Sequence, residues 1–490
     1  MTTNSPLDLP LEPPAGRGVF CNRTLNLRAI RAIGYDMDYT LVHYNVHEWE
    51  LCAYEFLRNK LAALGWPVTE LRFTPERVIR GLMIDKKLGN IVKANRFGYV
   101  KRAYHGTKPL EHDAQRQAYG QVVVDLSESR WEFLNTLFSL SEGCMYAQLV
   151  DLHDQGALPR VAGYQSLYEH VRAALDEAHM EGVMKAQILS DPDRFVELDP
   201  QAAQALLDQR DAGKKLLLIT NSEWSYTQQL MSYAYDRFVP AGQTWVDLFD
   251  IIVVSARKPT FFSQKQPIFE VVDPSGLLRP VSGKMAQDHR IYLGGHVELV
   301  EASLGLDGAD ILYVGDHIFS DVNVSKNTSR WRTALIIREI EAEIAAILAF
   351  AAQQRELEQL MAQKVALERR YSVERVLTQR RLAAQKRKSR GSDTSSHFES
   401  TELRQKILEL DGRIAPLARA AATMSNAHWG LLMRTGNDKS HLARQIERHA
   451  DIYTSRVSNF VFETPFAFLH SQRGSLPHDP GGGYGAPSGV

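Results

Sequence analysis

Five short apolar runs, rich in β-branched residues and without apolar–polar alternation, constrain this chain most: Arg31–Tyr35, Lys215–Ile219, Asp250–Val254, Ile311–Val314 and Thr333–Ile337. Such runs read as strands buried on both faces, the pattern of a parallel sheet covered by helices. Helical segments separate them. Pro200–Ala212 has apolar positions at helical spacing and meets a stop signal at Gly213, just before the second run. Alternating strands and helices predict an α/β fold with a doubly wound parallel sheet. In open sheets of this class, chemistry collects at the carboxyl ends of strands, so the residues after each run are the first candidates for function.

The gap between the first and second runs is far longer than one crossover helix needs, so it predicts an inserted α+β cap. Within it, Arg80–Tyr104 is punctuated by Gly81, Gly89 and Gly98 and reads as hairpins, while Ser127–Leu140 and Tyr164–Glu181 have helical periodicity. Beyond Arg338 the composition turns to Ala, Leu, Gln, Glu and Arg, with Leu357, Leu360, Met361, Val365, Leu367 and Tyr371 approximating an apolar stripe. A basic end at Arg380–Arg390, a turn through Ser392–Ser396 and a second helix from Thr401 complete a helical hairpin. The expected organisation is therefore a flexible segment 1–24, a core of 25–60 and 200–345, a cap of 61–199, a helical region 346–470 and a disordered tail 471–490.

At 490 residues and 44% hydrophobic content the chain can build a sizeable core. A net charge of -1 argues against electrostatic capture of nucleic acid or membrane, so an anionic ligand must be held by local groups. The basic end at 380–390 lacks interleaved aromatics and reads as a solvated helix end. Cys21, Cys52 and Cys144 have neither metal-ligand nor disulfide spacing, and the start of the chain lacks a secretory pattern. These features predict a soluble cytoplasmic protein.

The strand ends carry a pattern. The first run ends in Asp36-Met37-Asp38-Tyr39-Thr40, the second in Thr220-Asn221-Ser222, the third leads to Lys258, and the fourth to Gly315-Asp316 with Asp321 beyond. Taken alone, Asp-x-Asp-x-Thr also suits a loop that caps the next helix. The full set suits phosphoryl transfer, which needs charge neutralisation, an aligned nucleophile and a proton donor for the leaving oxygen. Asp36 and Asp316 offer oxygen ligands to a hard cation, Thr220 and Asn221 offer donors to phosphate oxygens, and Lys258 supplies fixed positive charge. Asp38, two residues beyond Asp36, is placed to act as general acid and then base.

In this order the motifs resemble the haloacid dehalogenase superfamily of phosphohydrolases. The resemblance implies Asp36 as nucleophile, Mg2+ held by Asp36, the backbone carbonyl of Asp38 and Asp316, and Asp321 as a supporting acid. Asn135-Thr136-Leu137-Phe138, Ala256-Arg257-Lys258-Pro259 and Gly315-Asp316-His317-Ile318-Phe319 narrow the likeness to the cytosolic purine 5'-nucleotidase family, the IMP-GMP specific type, from about Arg28 to Leu469. That resemblance implies a base pocket from Asn135, Phe138, Arg172, Asp176 and His179, with Lys185 and Ser222 near the phosphate. It implies a purine nucleoside monophosphate substrate, IMP and GMP favoured, nucleoside phosphotransfer besides hydrolysis, and a homo-oligomer, dimer or tetramer. Met180 stands where the family often has an aromatic, and Asp125 and Asn327 stand at positions of a basic effector site. Two other readings are a phosphatase of the same chemistry acting on another small ester such as a sugar phosphate, and a catalytically silent scaffold or nucleotide-binding protein.

Overall fold

The computed structural model describes residues 12–158, 160–180, 182–281, 285, 291–388 and 401–474, without the side chains of 178–180, 386 and 388. The central sheet places the parallel strands Ile452–Thr454, Arg332–Ile336, Ile311–Gly315, Ala32–Tyr35, Lys215–Ile219, Ile251–Val254 and Ile291–Gly294 side by side in that order. Antiparallel strands close both edges, Phe20–Cys21 on one and Ile268–Val271 with Leu278–Pro280 on the other. All five predicted runs are strands, and their apolar residues are buried as a two-faced parallel sheet requires. From Ala32–Tyr35 the chain builds outward through 215, 251 and 291, then returns to the opposite side at Ile311–Gly315. The first strand therefore sits at the point where strand order reverses, the position at which open α/β sheets form a crevice.

One glycine shapes this centre. A Cβ at Gly34 would lie 2.9 Å from the Tyr313 ring. Without it, Tyr313 crosses its neighbouring strand and donates its hydroxyl to the Ile219 carbonyl at 3.0 Å.

The insertion leaves and returns through paired strands His43–Tyr44 and Val196–Glu197. Helix Val46–Ala63, expected in part within the core, packs instead on the insertion's helices Leu140–Asp154 and Tyr164–Met180. The predicted hairpins form a five-stranded antiparallel sheet. The helix expected over Ser127–Leu140 does not form: Trp131–Phe133 is an edge strand paired with Met83–Asp85, and the helix begins at Leu140. Here strand pairing overrides helical periodicity, because Trp131 and Phe133 bury their rings only by alternating across the sheet edge.

An apolar cluster joins this sheet to the end of the fourth core strand, bringing Met83, Val92 and Phe133 together with Ile318, Val322 and Leu335. It also takes in Leu432, Leu442 and Ile446. The chain after the helical hairpin thus returns to the core and adds Ile452–Thr454 to the sheet, although residues up to 470 were expected to be a helical extension. The stretch expected to be a flexible start likewise supplies the edge strand Phe20–Cys21.

Two compact units result. One runs to Ile344 and resumes at Leu431–Gln472; the other includes Ala345–Gly430. Within the second, helices Ala351–Lys388 and Thr401–Ala422 pack through Leu360, Leu410 and Ile414, with Leu357, Met361 and Leu367 alongside, which follows the predicted stripe. Of the basic segment, 389 and 390 lie outside the described residues, as does the tail from 475. Among the described residues, no helix is long and apolar enough to cross a membrane.

Candidate active site

The strand ends do converge. Lys258 is buried and its ammonium lies 2.7 Å from Asp36 Oδ1 and 2.8 Å from Asp321 Oδ1, while donating to the Tyr313 hydroxyl at 3.0 Å. Carboxylate oxygens of Asp36, Asp316 and Asp321 all lie within 4.8 Å of one another. Gly315 makes this approach possible: a Cβ there would meet the Asp321 carboxylate at 2.6 Å. After Gly315 the chain widens into a π turn, Ile318–Asn323, which returns Asp321 to the site so that its Oδ2 accepts the His317 amide at 3.1 Å.

Three clustered carboxylates against one ammonium leave negative charge in excess. Burial, opposed by Lys258 and reinforced by Asp321 and Asp38, pushes Asp36 up to about 7. Asp316 is driven well above the usual carboxylate range by burial and then by Asp321, and Arg80 counters in part. Burial alone would lower Lys258, but Asp321 and Asp36 outweigh it and hold the ammonium above its ordinary range. An all-oxygen donor set with unbalanced negative charge fits a hard divalent cation. Asp36 and Asp316 are the carboxylates best placed to hold one, because Asp321 already has Lys258 on one oxygen and the His317 amide on the other.

Asp38 is held separately. The amides of Thr40, Leu41 and Val42 converge on the Met37 carbonyl at 3.2, 2.9 and 2.9 Å, wrapping the loop tightly, and Tyr39 takes a left-handed φ of 53°. Asp38 accepts from the Tyr44 hydroxyl on Oδ1 and from Ser222 Oγ at 2.8 Å on Oδ2. It faces a cavity of about 440 Å³ lined also by Trp49, Glu132, Asn135, Thr136, Phe138, Glu142, Arg172, Lys185 and His317.

The predicted phosphate and base residues divide. Thr220 is fully buried and its Oγ1 accepts the Ser222 amide at 3.0 Å. Asn221 is exposed, and its amide turns to the Lys258 backbone, Oδ1 accepting the Lys258 amide at 2.6 Å and Nδ2 donating to the Lys258 carbonyl at 3.1 Å, so its side chain clamps the lysine loop. Ser222 serves Asp38. Lys185 lines the cavity and pairs with Glu223 at 2.5 Å. Asn135, Phe138 and Arg172 line the cavity, with Phe138 edge-on to Tyr39 at 4.5 Å and to Trp49 at 5.2 Å. Asp176 does not line it: the carboxylate is exposed and takes Arg172 at 2.8 Å. One helical turn separates the two, so Asp176 sits on the outer side of the same face. The side chain of His179 lies outside the described residues.

Four neighbours of the site were given no role from the sequence. Glu142 is a buried cavity carboxyl raised by burial, countered by Arg172 at 3.6 Å and the Tyr168 hydroxyl at 2.5 Å. Tyr44 and Trp49 approach only because the insertion's entry strand and first helix fold beside the acid loop. His317, visible in the Gly-Asp motif, accepts the Phe319 and Ser320 amides on Nδ1 at 3.1 and 3.0 Å, which leaves Nε2 as the protonated nitrogen. Burial pushes that imidazole down to about 4, so it is a neutral donor at the cavity wall.

The family profile described as the 5' nucleotidase family matches residues 19–481. A 5'-nucleotidase domain-containing protein of Dictyostelium discoideum is 27% identical over 472 residues, covering 94% of this chain and 74% of that protein. 5'-nucleotidase domain-containing protein 2 of Homo sapiens is 25% identical over 476 residues, covering 94% and 85%. Among solved structures, a haloacid dehalogenase-like family hydrolase from Xanthomonas campestris aligns at a TM-score of 0.25 and 14% identity, over 66% of this chain and 97% of that one.

Proposed function

We propose that this chain, which belongs to the 5' nucleotidase family and is a phosphoric monoester hydrolase, hydrolyses purine nucleoside 5'-monophosphates, IMP and GMP favoured, through a phosphorylated Asp36. The observation that carries this reading is a nucleoside-sized cavity with an aromatic wall at Phe138 and Trp49 that reaches Asp38. A base stacks on the aromatic wall, and Arg172, Asn135 and Glu142 offer donors and acceptors to its edge.

In the first step an Asp36 carboxylate oxygen attacks phosphorus, the bond to the nucleoside 5'-oxygen breaks, and protonated Asp38 gives that oxygen its proton. In the second, Asp38 takes a proton from water, the water oxygen attacks phosphorus, and the acyl-phosphate bond breaks to return Asp36 and inorganic phosphate. Lys258 holds Asp36 Oδ1 and balances its charge. Mg2+ when bound supplies positive charge against the phosphoryl oxygens, with Asp36, Asp316 and the Asp38 carbonyl as its holders and Asp321 in support. A nucleoside bound in place of water would accept the phosphoryl group, which makes phosphotransfer an outcome of the same intermediate.

A panel of nucleoside monophosphates and ribose 5-phosphate, assayed for phosphate release with magnesium and with or without inosine, tests this. Fastest turnover of IMP and GMP is expected, with IMP formed when inosine and GMP are combined. Equal rates for nucleotides and ribose 5-phosphate would favour the small-ester reading instead, and no release with any ester would favour a silent protein. Exposed Val373, Val376 and Leu377 on the long helix are the observation behind an accompanying homo-oligomer, checked by light scattering.

A further inference from the structure

Arg80 is buried at 3% exposure, yet its guanidinium ends on the backbone of three distant segments. Nε donates to the Asn135 carbonyl at 2.6 Å, Nη1 to the Ile336 carbonyl at 3.3 Å, and Nη2 to the Asp316 carbonyl. Asn135 belongs to the cavity wall, and Asp316 belongs to the acid cluster. Arg80 itself is fixed at its base, because the flanking Gly81 amide donates to the Leu134 carbonyl at 2.6 Å and the Leu134 amide donates to the Leu82 carbonyl at 2.9 Å. Glu339 lies 3.8 Å from Nη1 and anchors the outer side of the guanidinium.

A buried arginine is an expensive way to satisfy carbonyls that water or a backbone amide can satisfy, so its planar fork is the property that matters. The fork sets the distance and angle between the wall that meets the nucleoside and the loop that presents Asp316. The apolar cluster of Met83 and Phe133 with Ile318 and Val322 keeps the same two regions packed.

We propose that Arg80 is a positioning residue that holds the nucleoside wall in fixed register with the acid loop, so that nucleoside contacts raise the rate of phosphoryl transfer as well as affinity. This rests on the nucleotidase reading. Binding remote from the reacting centre accelerates chemistry only if the frame between the two is rigid, since it is then converted into alignment of the phosphoryl group with Asp36.

The test compares kcat and KM for IMP and for ribose 5-phosphate, with magnesium, in the wild-type protein, Arg80→Lys and Glu339→Gln, with thermal unfolding followed for each. Wild type is expected to turn over IMP at least about tenfold faster than ribose 5-phosphate. Arg80→Lys keeps the charge but not the fork; it lowers kcat for both, and the IMP to ribose 5-phosphate ratio falls about tenfold toward one while KM for IMP stays within about threefold. If Arg80→Lys does not fold, Glu339→Gln decides, with the ratio falling about threefold. Equal fractional losses for both substrates, or a ratio unchanged in the deciding variant, overturns the inference and leaves the nucleotidase reading standing. A wild-type ratio near one overturns both.

Discussion

Replacing Tyr44 with Phe removes one hydroxyl and tests whether Asp38 works as a positioned acid and base. Asp38 has two donors, Tyr44 on Oδ1 and Ser222 on Oδ2, and it must present one carboxyl orientation in both chemical steps. A hydrogen bond to a charged group contributes about 1.5–3 kcal/mol. Tyr44 is 2% exposed and Ser222 4%, so water does not readily replace either hydroxyl, and the phenol, the stronger donor of the two, is the larger loss. The Phe ring keeps its contacts with Trp49, centroids 4.6 Å apart, and with Tyr39 at 5.2 Å, so the fold loses little beyond the bond to the Tyr226 hydroxyl at 3.0 Å. At about tenfold per 1.4 kcal/mol, Tyr44→Phe should reduce kcat by about 10- to 100-fold, and Ser222→Ala by about tenfold. KM should change by less than about threefold, because the loss falls on proton transfer and not on nucleoside binding. Steady-state phosphate release from IMP measures the loss, and rapid-quench detection of phosphorylated Asp36 shows whether formation and hydrolysis both slow. The double variant should lose less than the sum of the two in free energy, since both bonds act through one carboxylate. A Tyr44→Phe enzyme within about threefold of wild-type kcat, or a loss confined to KM, would refute the role given to Asp38.

Other outcomes follow from separate parts of the molecule. Magnesium at one hundred times its dissociation constant should stabilise the wild-type protein by about 2.7 kcal/mol, seen as a raised melting temperature, and should not stabilise Asp316→Asn; an equal rise in both proteins would remove Asp316 from the cation site. Burial works against the Asp451 carboxylate, but Lys326 at 2.5 Å and Arg332 at 3.0 Å outweigh it and hold the group below its ordinary 3.8. Because the folded value lies below the unfolded one, this stabilisation is complete above about pH 4 and is lost as the pH falls through the folded value. Asp451→Asn should therefore cost about 3 kcal/mol in urea unfolding at pH 7 and progressively less toward pH 3; a gap independent of pH would sink the assignment. Leu360 is 2% exposed between the two long helices, and Leu360→Ala should cost their unit about 3 kcal/mol, seen as an earlier helical transition in circular dichroism. A transition at the wild-type temperature would mean that this cluster does not hold the pair.

The strand-end part of the candidate site was legible because its information is local. Each strand is a short apolar run, and each candidate side chain is within a few residues of a strand end, so Asp36, Asp38, Lys258 and Asp316 could be placed before any packing was known. Glycines added detail that only contacts explain: Gly34 admits the Tyr313 ring and Gly315 admits Asp321. The cavity was less legible. Trp131–Phe133 carries a helical pattern that lost to strand pairing, and Arg172 and Asp176, alike in spacing, part company by one helical turn.

The amino-acid sequence by itself determined the parallel sheet, the order of the strand-end chemistry and the helical hairpin, because periodicity and nearest-neighbour spacing decide those without reference to distant residues. Tertiary structure alone decided that Ser222 and Tyr44 hold Asp38, that Asn221 clamps the lysine loop, that Glu142 and not Asp176 lines the cavity, and that Arg80 spans Asn135 and Asp316. Apart from Tyr44, six residues from Asp38, those contacts join segments tens to hundreds of residues apart, and burial makes them matter: a polar group removed from water must find a partner wherever the fold brings one.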